Sequence, residues 1–306
     1  MRADTRASRQ LIHSPLTRRP AGTISRVPQW VAECVEPRFR YVSAGFDNAF
    51  GMDVLLFQRR IVEAYEQIFE QLDESKAYAV RFWAFVPGIH DDLGGGLDRY
   101  MAFNAGRYGV FAAQFGRPTS FGQSVPTASA IGVTDDRFSL HCLGADVPGV
   151  PVENPRQVSA YHYSRRFGPM PPCFARATLL RDEVHQPMLL VGGTASITGE
   201  DSRHLDAPAA QARETFLNLA SVVASAVGRI LPEAIADAEI EPLLKSYREL
   251  RVYYKNSTHQ ETLAELVRAA FSPRCRVEWL QASLCRPELL VEIEGVALLE
   301  ASPSGS

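Results

Sequence analysis

The strongest constraint on the fold is an order of predicted elements that occurs twice along the chain. In the first half, an amphipathic helix at 54–73 is followed by a strand, a second helix and two strands. Apolar residues in that helix recur with the period of a helix that buries one face. In the second half, a long helix at 208–227 starts with a proline and is followed by a strand, a helix and further strands. The pattern predicts an α+β fold that repeats one small unit, a mixed sheet with helices packed on one face. Two unrelated α+β domains stay open as an alternative, because the halves share little sequence identity.

The length and composition of the chain fit two domains. The chain has 306 residues, of which 46% are hydrophobic, enough to bury two cores. Proline and glycine cluster at 146–160, which indicates a linker. We therefore predict an irregular N-terminal arm at 1–35, an N-terminal domain at 36–150 and a C-terminal catalytic domain at 151–306.

Charge and hydropathy disfavour several classes of function. The net charge of −3, from 32 Lys and Arg against 35 Asp and Glu, gives no basic surface for nucleic acid. No apolar run approaches the roughly 20 residues that span a bilayer, and the N-terminus has no hydrophobic signal core. We expect a cytoplasmic protein with neither nucleic acid nor membrane as a partner.

The five cysteines are scattered, which favours reduced thiols over disulfides or a zinc site. The oligomeric state is open, with a monomer as one option.

The last predicted strand carries two carboxylates on one face. Side chains two positions apart on a strand share a face, so Glu292 and Glu294 lie opposite Val291 and Ile293. One interpretation is an antiparallel strand with one solvated face. The other is a strand that forms the wall of a cleft. Arginines and aromatic residues at 160–177 would suit a small anion with more than one carboxylate.

Motifs for metals, nucleotides and common hydrolases are absent from the sequence. The glycine-rich turn at 91–100 lacks both the end of a P-loop and the spacing of GxGxxG. Neither GxSxG nor HExxH occurs. We expect a protein that needs no metal and no cofactor.

Several segments resemble the chorismatase family, over about residues 80–299. The segments are FNAGRYGVF at 103–111, VSAYHYSRRFGPMPPCFARATLL at 158–180, LLVGGTASITGEDSRH at 189–204, QARETFLNL at 211–219 and LCRPELLVEIEG at 284–295. The resemblance implies two tandem RidA-like (chorismate mutase-like) units in one chain, which agrees with the repeat. RidA-like proteins also end in a VEIEAIA-type strand, similar to VEIEGVA at 291–297.

The resemblance implies an enzyme that releases pyruvate from chorismate without a metal or organic cofactor. It implies Glu292 as the general acid and Cys285 at the position that separates 3-hydroxybenzoate-forming members from hydrolytic ones. We predict a 3-hydroxybenzoate synthase in which Cys285 steers aromatisation. Hydrolysis to a dihydroxycyclohexadiene carboxylate and formation of both 3- and 4-hydroxybenzoate stay open. So do a non-catalytic RidA-like metabolite-binding protein and imine hydrolysis of the RidA type.

The candidate substrate-binding residues follow from the same resemblance and from the chemistry of chorismate. Arg107 and Arg176 are predicted partners of its carboxylates. The other candidates are Arg166, Tyr161 and Tyr163 near the ring, and Gly193, Thr194 and Ala195 as sources of backbone N–H groups or a hydroxyl. A dry pocket would raise the pKa of Glu292 and keep it protonated near neutral pH. For Cys285, proton transfer, covalent attack, exclusion of water and simple packing stay open.

Overall fold

The computed structural model describes residues 26–33, 38–232 and 235–300. Most of the predicted N-terminal arm at 1–35 therefore lies outside the described residues. Its described part is not irregular throughout, because Gln29–Glu33 form a short helix, α1.

The first unit is a four-stranded sheet with helices on one face. Its elements are β1 (Phe39–Phe46), α2 (Val54–Glu74), β2 (Tyr78–Pro87), α3 (Arg99–Phe115), α4 (Phe121–Ser124), β3 (Thr127–Val133) and β4 (Phe138–Ala145). The strand order is β1-β4-β2-β3, with β2 and β3 parallel and the other pairs antiparallel. Asp53 caps the N-terminus of α2, because its side chain accepts a hydrogen bond from the Leu56 N–H at 2.8 Å. The apolar faces of α2 and α3 pack on the sheet around Phe82 and Leu140.

The second unit has a six-stranded sheet. Its elements are β5 (Val150–Val152), β6 (Ala177–Leu180), β7 (Met188–Ala195), β8 (Ile197–Thr198), β9 (Asp201–Ser202), α5 (Pro208–Ala226), α6 (Asp237–Leu244), β10 (Tyr247–Tyr254), α7 (Gln260–Ala270), β11 (Arg276–Gln281) and β12 (Val291–Leu298). The strand order is β11-β10-β12-β7-β6-β5, with β10 and β11 parallel. Proline opens α5 at a position where its missing N–H costs nothing. Val291 and Ile293 of β12 face the helices.

The faces that the helices leave free pack against each other. Trp83 and Ile131 of the first sheet join Leu190, Tyr253 and Val296 of the second in one buried cluster. Both units therefore contribute to whatever lies between the sheets, including the glutamate face of β12.

The predicted fold is confirmed, with two α+β units that each have a mixed sheet and helices on one face. The predicted helices at 54–73 and 208–227 are observed with ends shifted by one residue. Strand β1 and helix α6 were not predicted. The change of sheet falls between Ala145 and Val150, within the predicted linker; the division into domains at 150 stays a prediction. Within the described ranges, no helix combines the length and apolarity needed to cross a bilayer. The cytoplasmic location stays a prediction.

Candidate active site

A cavity lies between the two units, at the point where the start of α3 meets the glutamate face of β12. Seven of the predicted site residues line it: Tyr163, Arg166, Arg176, Gly193, Ala195, Cys285 and Glu292. The structure therefore brings together residues that are as far apart in the sequence as 163 and 292.

Glu292 is the buried acid of this cavity. Its side chain is only 3% exposed, and β12 holds it between β10 and β7. In the part of the chain that the structure describes, Cys285 is the one side chain within hydrogen-bond distance, with Sγ 3.8 Å from Oε2. Burial, followed by the nearby charge of Glu294, raises the pKa of Glu292 to about 8. Near neutral pH this group is a carboxylic acid that can donate a proton.

Gly193 leaves the space that the Glu292 carboxyl occupies. A Cβ atom built on Gly193 would overlap with Oε1 of Glu292. The Gly193 N–H does not point at the cavity, since it donates to Oγ of Ser129 at 2.8 Å. Sequence reasoning expected a backbone donor here, whereas the structure shows a glycine that is needed for close approach.

Cys285 lies beside Glu292 as a thiol. Burial, followed by the charge of Glu292, raises the pKa of Cys285 to about 12. The thiolate is the nucleophilic form of cysteine. Covalent attack by Cys285 is therefore disfavoured near neutral pH.

Two arginines line the cavity without a carboxylate partner. Arg176 is 6% exposed and donates to the Val158 carbonyl and the Tyr163 hydroxyl, both at 2.8 Å. Arg286 is 8% exposed and its guanidinium lies 4.0 Å from the centre of the Phe167 ring. Among residues 26–33, 38–232 and 235–300, neither forms an ion pair. Glu153 interacts electrostatically with Arg176, and Asp201 with Arg286. Because no direct ion pair forms with either arginine, a carboxylate of a ligand can still bind to each guanidinium.

Arg166 differs from these two arginines. Its side chain is 53% exposed and pairs with Asp201 at 2.6 Å. Its charge is already compensated, and it lies at the margin of the cavity. The prediction that it contacts the substrate ring stays a prediction.

Three predicted substrate-binding residues lie behind the cavity wall instead of in it. Arg107 is 1% exposed and lies between the rings of Phe103 and Phe174, with Nη2 bonded to Oδ1 of Asn104 at 2.7 Å. Tyr161 packs edge-on against Phe121, with ring centres 5.9 Å apart. The Thr194 hydroxyl donates to the Gly192 carbonyl at 2.9 Å. Because Gly193 and Ala195 face the cavity, alternation along β7 turns Thr194 away from it.

Sequence reasoning missed other residues of the cavity wall. They include His90, Tyr100, Phe167, Phe174 and Arg286. Because Arg286 directly follows Cys285 in the sequence, it could have been predicted as a residue of the site. His90 and Tyr100 flank the glycine-rich turn, whose ends reach the cavity although it resembles no phosphate-binding motif. In the described part of the chain, no three His, Cys, Asp or Glu side chains are grouped so that they could hold a metal ion.

The family description "Chorismatase FkbO/Hyg5-like, N-terminal" matches residues 39–144. A 3-hydroxybenzoate synthase from Streptomyces hygroscopicus is 34% identical over 240 residues, which are 77% of this chain and 68% of that protein. A chorismatase from Streptomyces rapamycinicus is 31% identical over 220 residues, which are 71% of this chain and 63% of that protein. A chorismatase crystal structure has a TM-score of 0.70 and 25% identity, covering 85% of this chain and 74% of that one.

The fold and the cavity define a two-unit α+β protein with a buried acid, a thiol and two arginines in a cavity between its units. The similarity to the 3-hydroxybenzoate synthase extends over two thirds of that protein. The chain belongs to the chorismatase family. This confirms the resemblance that the sequence motifs indicated.

Proposed function

We propose that this chain converts chorismate to 3-hydroxybenzoate and pyruvate. The observation that carries the proposal is the contact between the protonated Glu292 and the Cys285 thiol, 3.8 Å apart in a cavity that is also lined by Arg176 and Arg286. The similarity to a 3-hydroxybenzoate synthase supports the same conclusion.

The two arginines match the charge of the substrate. Chorismate carries two carboxylates, and guanidinium groups bind carboxylates through two parallel hydrogen bonds. Arg176 and Arg286 each contact the Tyr163 ring, with guanidinium carbons 5.6 Å and 5.4 Å from its centre. Both cations thus lie on one aromatic wall, where a small dianion would neutralise them.

Glu292 supplies the proton that the enolpyruvyl group needs. Protonation of its methylene carbon activates the ether, the neighbouring ring hydroxyl displaces pyruvate, and the hydroxyl proton returns to the Glu292 carboxylate. Glu292 then protonates the epoxide oxygen as the ring opens, and a ring proton passes to the Glu292 carboxylate to give the aromatic acid. Chorismate contains every atom of 3-hydroxybenzoate and pyruvate, so no water is consumed. Hydrolysis, by contrast, takes up one water molecule.

Cys285 decides between these outcomes in our proposal. As a neutral thiol beside the acid it fills space that a water molecule would need, and it forms no bond to the substrate. A smaller residue would leave room for water next to Glu292 and permit hydrolysis.

Product analysis tests the proposal directly. After incubation with chorismate, we expect 3-hydroxybenzoate by chromatography and an equal amount of pyruvate by a coupled lactate dehydrogenase assay. A dihydroxycyclohexadiene carboxylate would indicate the hydrolytic reaction, and 4-hydroxybenzoate in addition would indicate a synthase of both isomers. Absence of pyruvate would show that the chain is not a chorismatase in activity.

A further inference from the structure

Glu294 lies two residues from Glu292 on the same face of β12, but it is bound in an entirely different way. Its side chain is buried, 3% exposed, and accepts four hydrogen bonds. The donors are Nη2 of Arg81 (2.7 Å), Oγ of Ser129 (2.6 Å), Nε1 of Trp83 (2.8 Å) and the hydroxyl of Tyr253 (3.2 Å). We call these five residues the Glu294 cluster. Three of the donors come from the first sheet, so the cluster joins the two units.

The hydrogen bonds of the cluster require Glu294 to be ionised. Guanidinium and indole N–H groups can only donate. The Ser129 oxygen accepts from Arg81 at 2.5 Å and from the Gly193 N–H at 2.8 Å, so its own proton points at Glu294. The Tyr253 oxygen accepts from Arg251 at 3.3 Å, so it too donates to Glu294. A carboxyl that accepts from four donors has no place for a proton of its own.

The cluster also reaches the strand against which Glu292 packs. Ser129 accepts the N–H of Gly193, and the Cα of Gly193 faces Oε1 of Glu292. Ser129 is therefore a direct link between the Glu294 carboxylate and the backbone that positions the acid. The link runs from β3 of the first unit to β7 of the second.

Glu292 has none of the donors that stabilise a carboxylate at Glu294. The charged and titratable groups around it are Glu294, Arg81, Cys285, Arg176 and Tyr100. Two carboxyl groups that share a dry site do not both ionise easily, and the group with fewer donors keeps its proton. The four hydrogen bonds to Glu294 therefore leave Glu292 as the carboxyl group that keeps its proton.

We propose that Glu294 is a positioning residue of the active site, which holds Glu292 in its acid form by a fixed negative charge and, through Ser129, fixes Gly193 next to it. The inference rests on the proposed function in one respect only, the use of Glu292 as the acid. It makes the first unit part of the catalytic apparatus, because Arg81 and Ser129 belong to the first sheet.

The test is the pH dependence of Glu294→Gln, compared with Glu294→Asp. Gln removes the charge and keeps the size, so the alkaline limb of the rate of pyruvate release should move to lower pH by about one unit. Asp keeps the charge and should leave the limb close to its wild-type position. A purely structural role would make both variants slower without moving the limb, and that outcome would overturn the inference.

A second measurement separates this inference from the proposed function. The carboxyl of Glu292, labelled with ¹³C at Cδ and assigned with Glu292→Gln, can be titrated by NMR without substrate. Its midpoint should fall in Glu294→Gln and stay in Glu294→Asp. If the wild type releases no pyruvate, the proposed function fails while the titration still decides the inference. If Glu294→Gln does not fold because Arg81 is left without a partner, the comparison is made in the Arg81→Met background, where the Glu292 midpoint should be lower with Gln than with Glu at position 294. Equal midpoints of Arg81→Met and Arg81→Met/Glu294→Gln would contradict the inference.

Discussion

The Glu292 carboxyl and the Cα of Gly193 contact each other across β12 and β7 with no room for a side chain between them. Close packing against a neighbouring strand therefore sets the position of the acid, which is not held by a set of hydrogen-bond donors. The position of the carboxyl depends on a glycine that contributes no functional group. A substitution at Gly193 can therefore displace the Glu292 carboxyl without removing any polar atom of the site.

Gly193→Ala should displace the acid and slow pyruvate release by about a hundredfold, the scale expected for a shift of about 1 Å in a reacting group. The added methyl group overlaps the end of the flexible Glu292 side chain, so the fold should persist, as circular dichroism would show. Gly109→Ala is the matched control, because a Cβ there meets nothing within 4 Å. Equal rates for Gly193→Ala and Gly109→Ala would contradict the packing argument.

Glu292→Gln should nearly abolish pyruvate release, because an amide keeps the shape of the acid but does not supply its proton. The loss should appear in kcat, since the arginines that we propose as carboxylate ligands are unchanged. Glu183→Gln, an exposed position, serves as the control and should behave as wild type. A Glu292→Gln enzyme with near-normal turnover would show that another group is the acid.

The same substitution should change how stability depends on pH. Burial raises the pKa of Glu292 to about 8 in the folded chain, whereas the pKa of an exposed glutamate is about 4.3. Between these values the unfolded chain gives up its proton first, so the wild type loses stability as the pH rises, until the folded group also ionises. Glutamine has no proton to lose. The Tm of Glu292→Gln relative to wild type should therefore increase from about pH 5 to about pH 9, and parallel Tm profiles would rule out the raised pKa.

Arg286→Met should raise KM for chorismate, because it removes the guanidinium while it keeps an unbranched side chain in the wall of the cavity. A hydrogen-bonded pair that includes a charged group contributes about 1.5–3 kcal/mol, which corresponds to roughly ten- to a hundredfold in affinity. Arg166→Met is the comparison, because Arg166 is exposed and already paired with Asp201, and its effect on KM should be smaller. A larger effect on KM for Arg166→Met than for Arg286→Met would indicate that a substrate carboxylate binds at the margin of the cavity.

Sequence reasoning found the parts of this site that local pattern controls. Alternation along β12 placed Glu292 and Glu294 on one face, and the helical period located α2. Because successive side chains on a strand point to opposite faces, a Gly193 that faces the ligand implies that the Thr194 side chain faces away from it. What local pattern does not contain is pairing between distant segments. Arg81 and Glu294 are 213 positions apart, and nothing in the sequence around either residue indicates that their side chains contact each other.

The two carboxylates of β12 show the same limit. From the sequence they are equivalent, because both are glutamates on one strand face. Their roles differ only because Trp83 and Ser129 donate to Glu294, while Glu292 faces a cavity beside a thiol. Strand β1 was missed because its apolar face is short, with Val42, Ala44 and Phe46 packed against the core, and because several of its other side chains are exposed.

Cys285→Ala should change the products of the reaction without stopping it. Glu292 still carries its proton, so pyruvate should still be released. The space that Sγ vacates lies next to the Glu292 carboxyl, where a water molecule can then compete with the ring hydroxyl. A shift of about 1.4 kcal/mol between the two barriers changes the product ratio about tenfold. We expect a dihydroxycyclohexadiene carboxylate to form at the expense of 3-hydroxybenzoate, as measured by chromatography against total pyruvate. Cys275→Ala is the control, because that thiol packs with the helix-side core of the second sheet and should leave the ratio unchanged. If Cys285→Ala gives 3-hydroxybenzoate alone at the wild-type rate, other residues exclude water and Cys285 does not decide between the products.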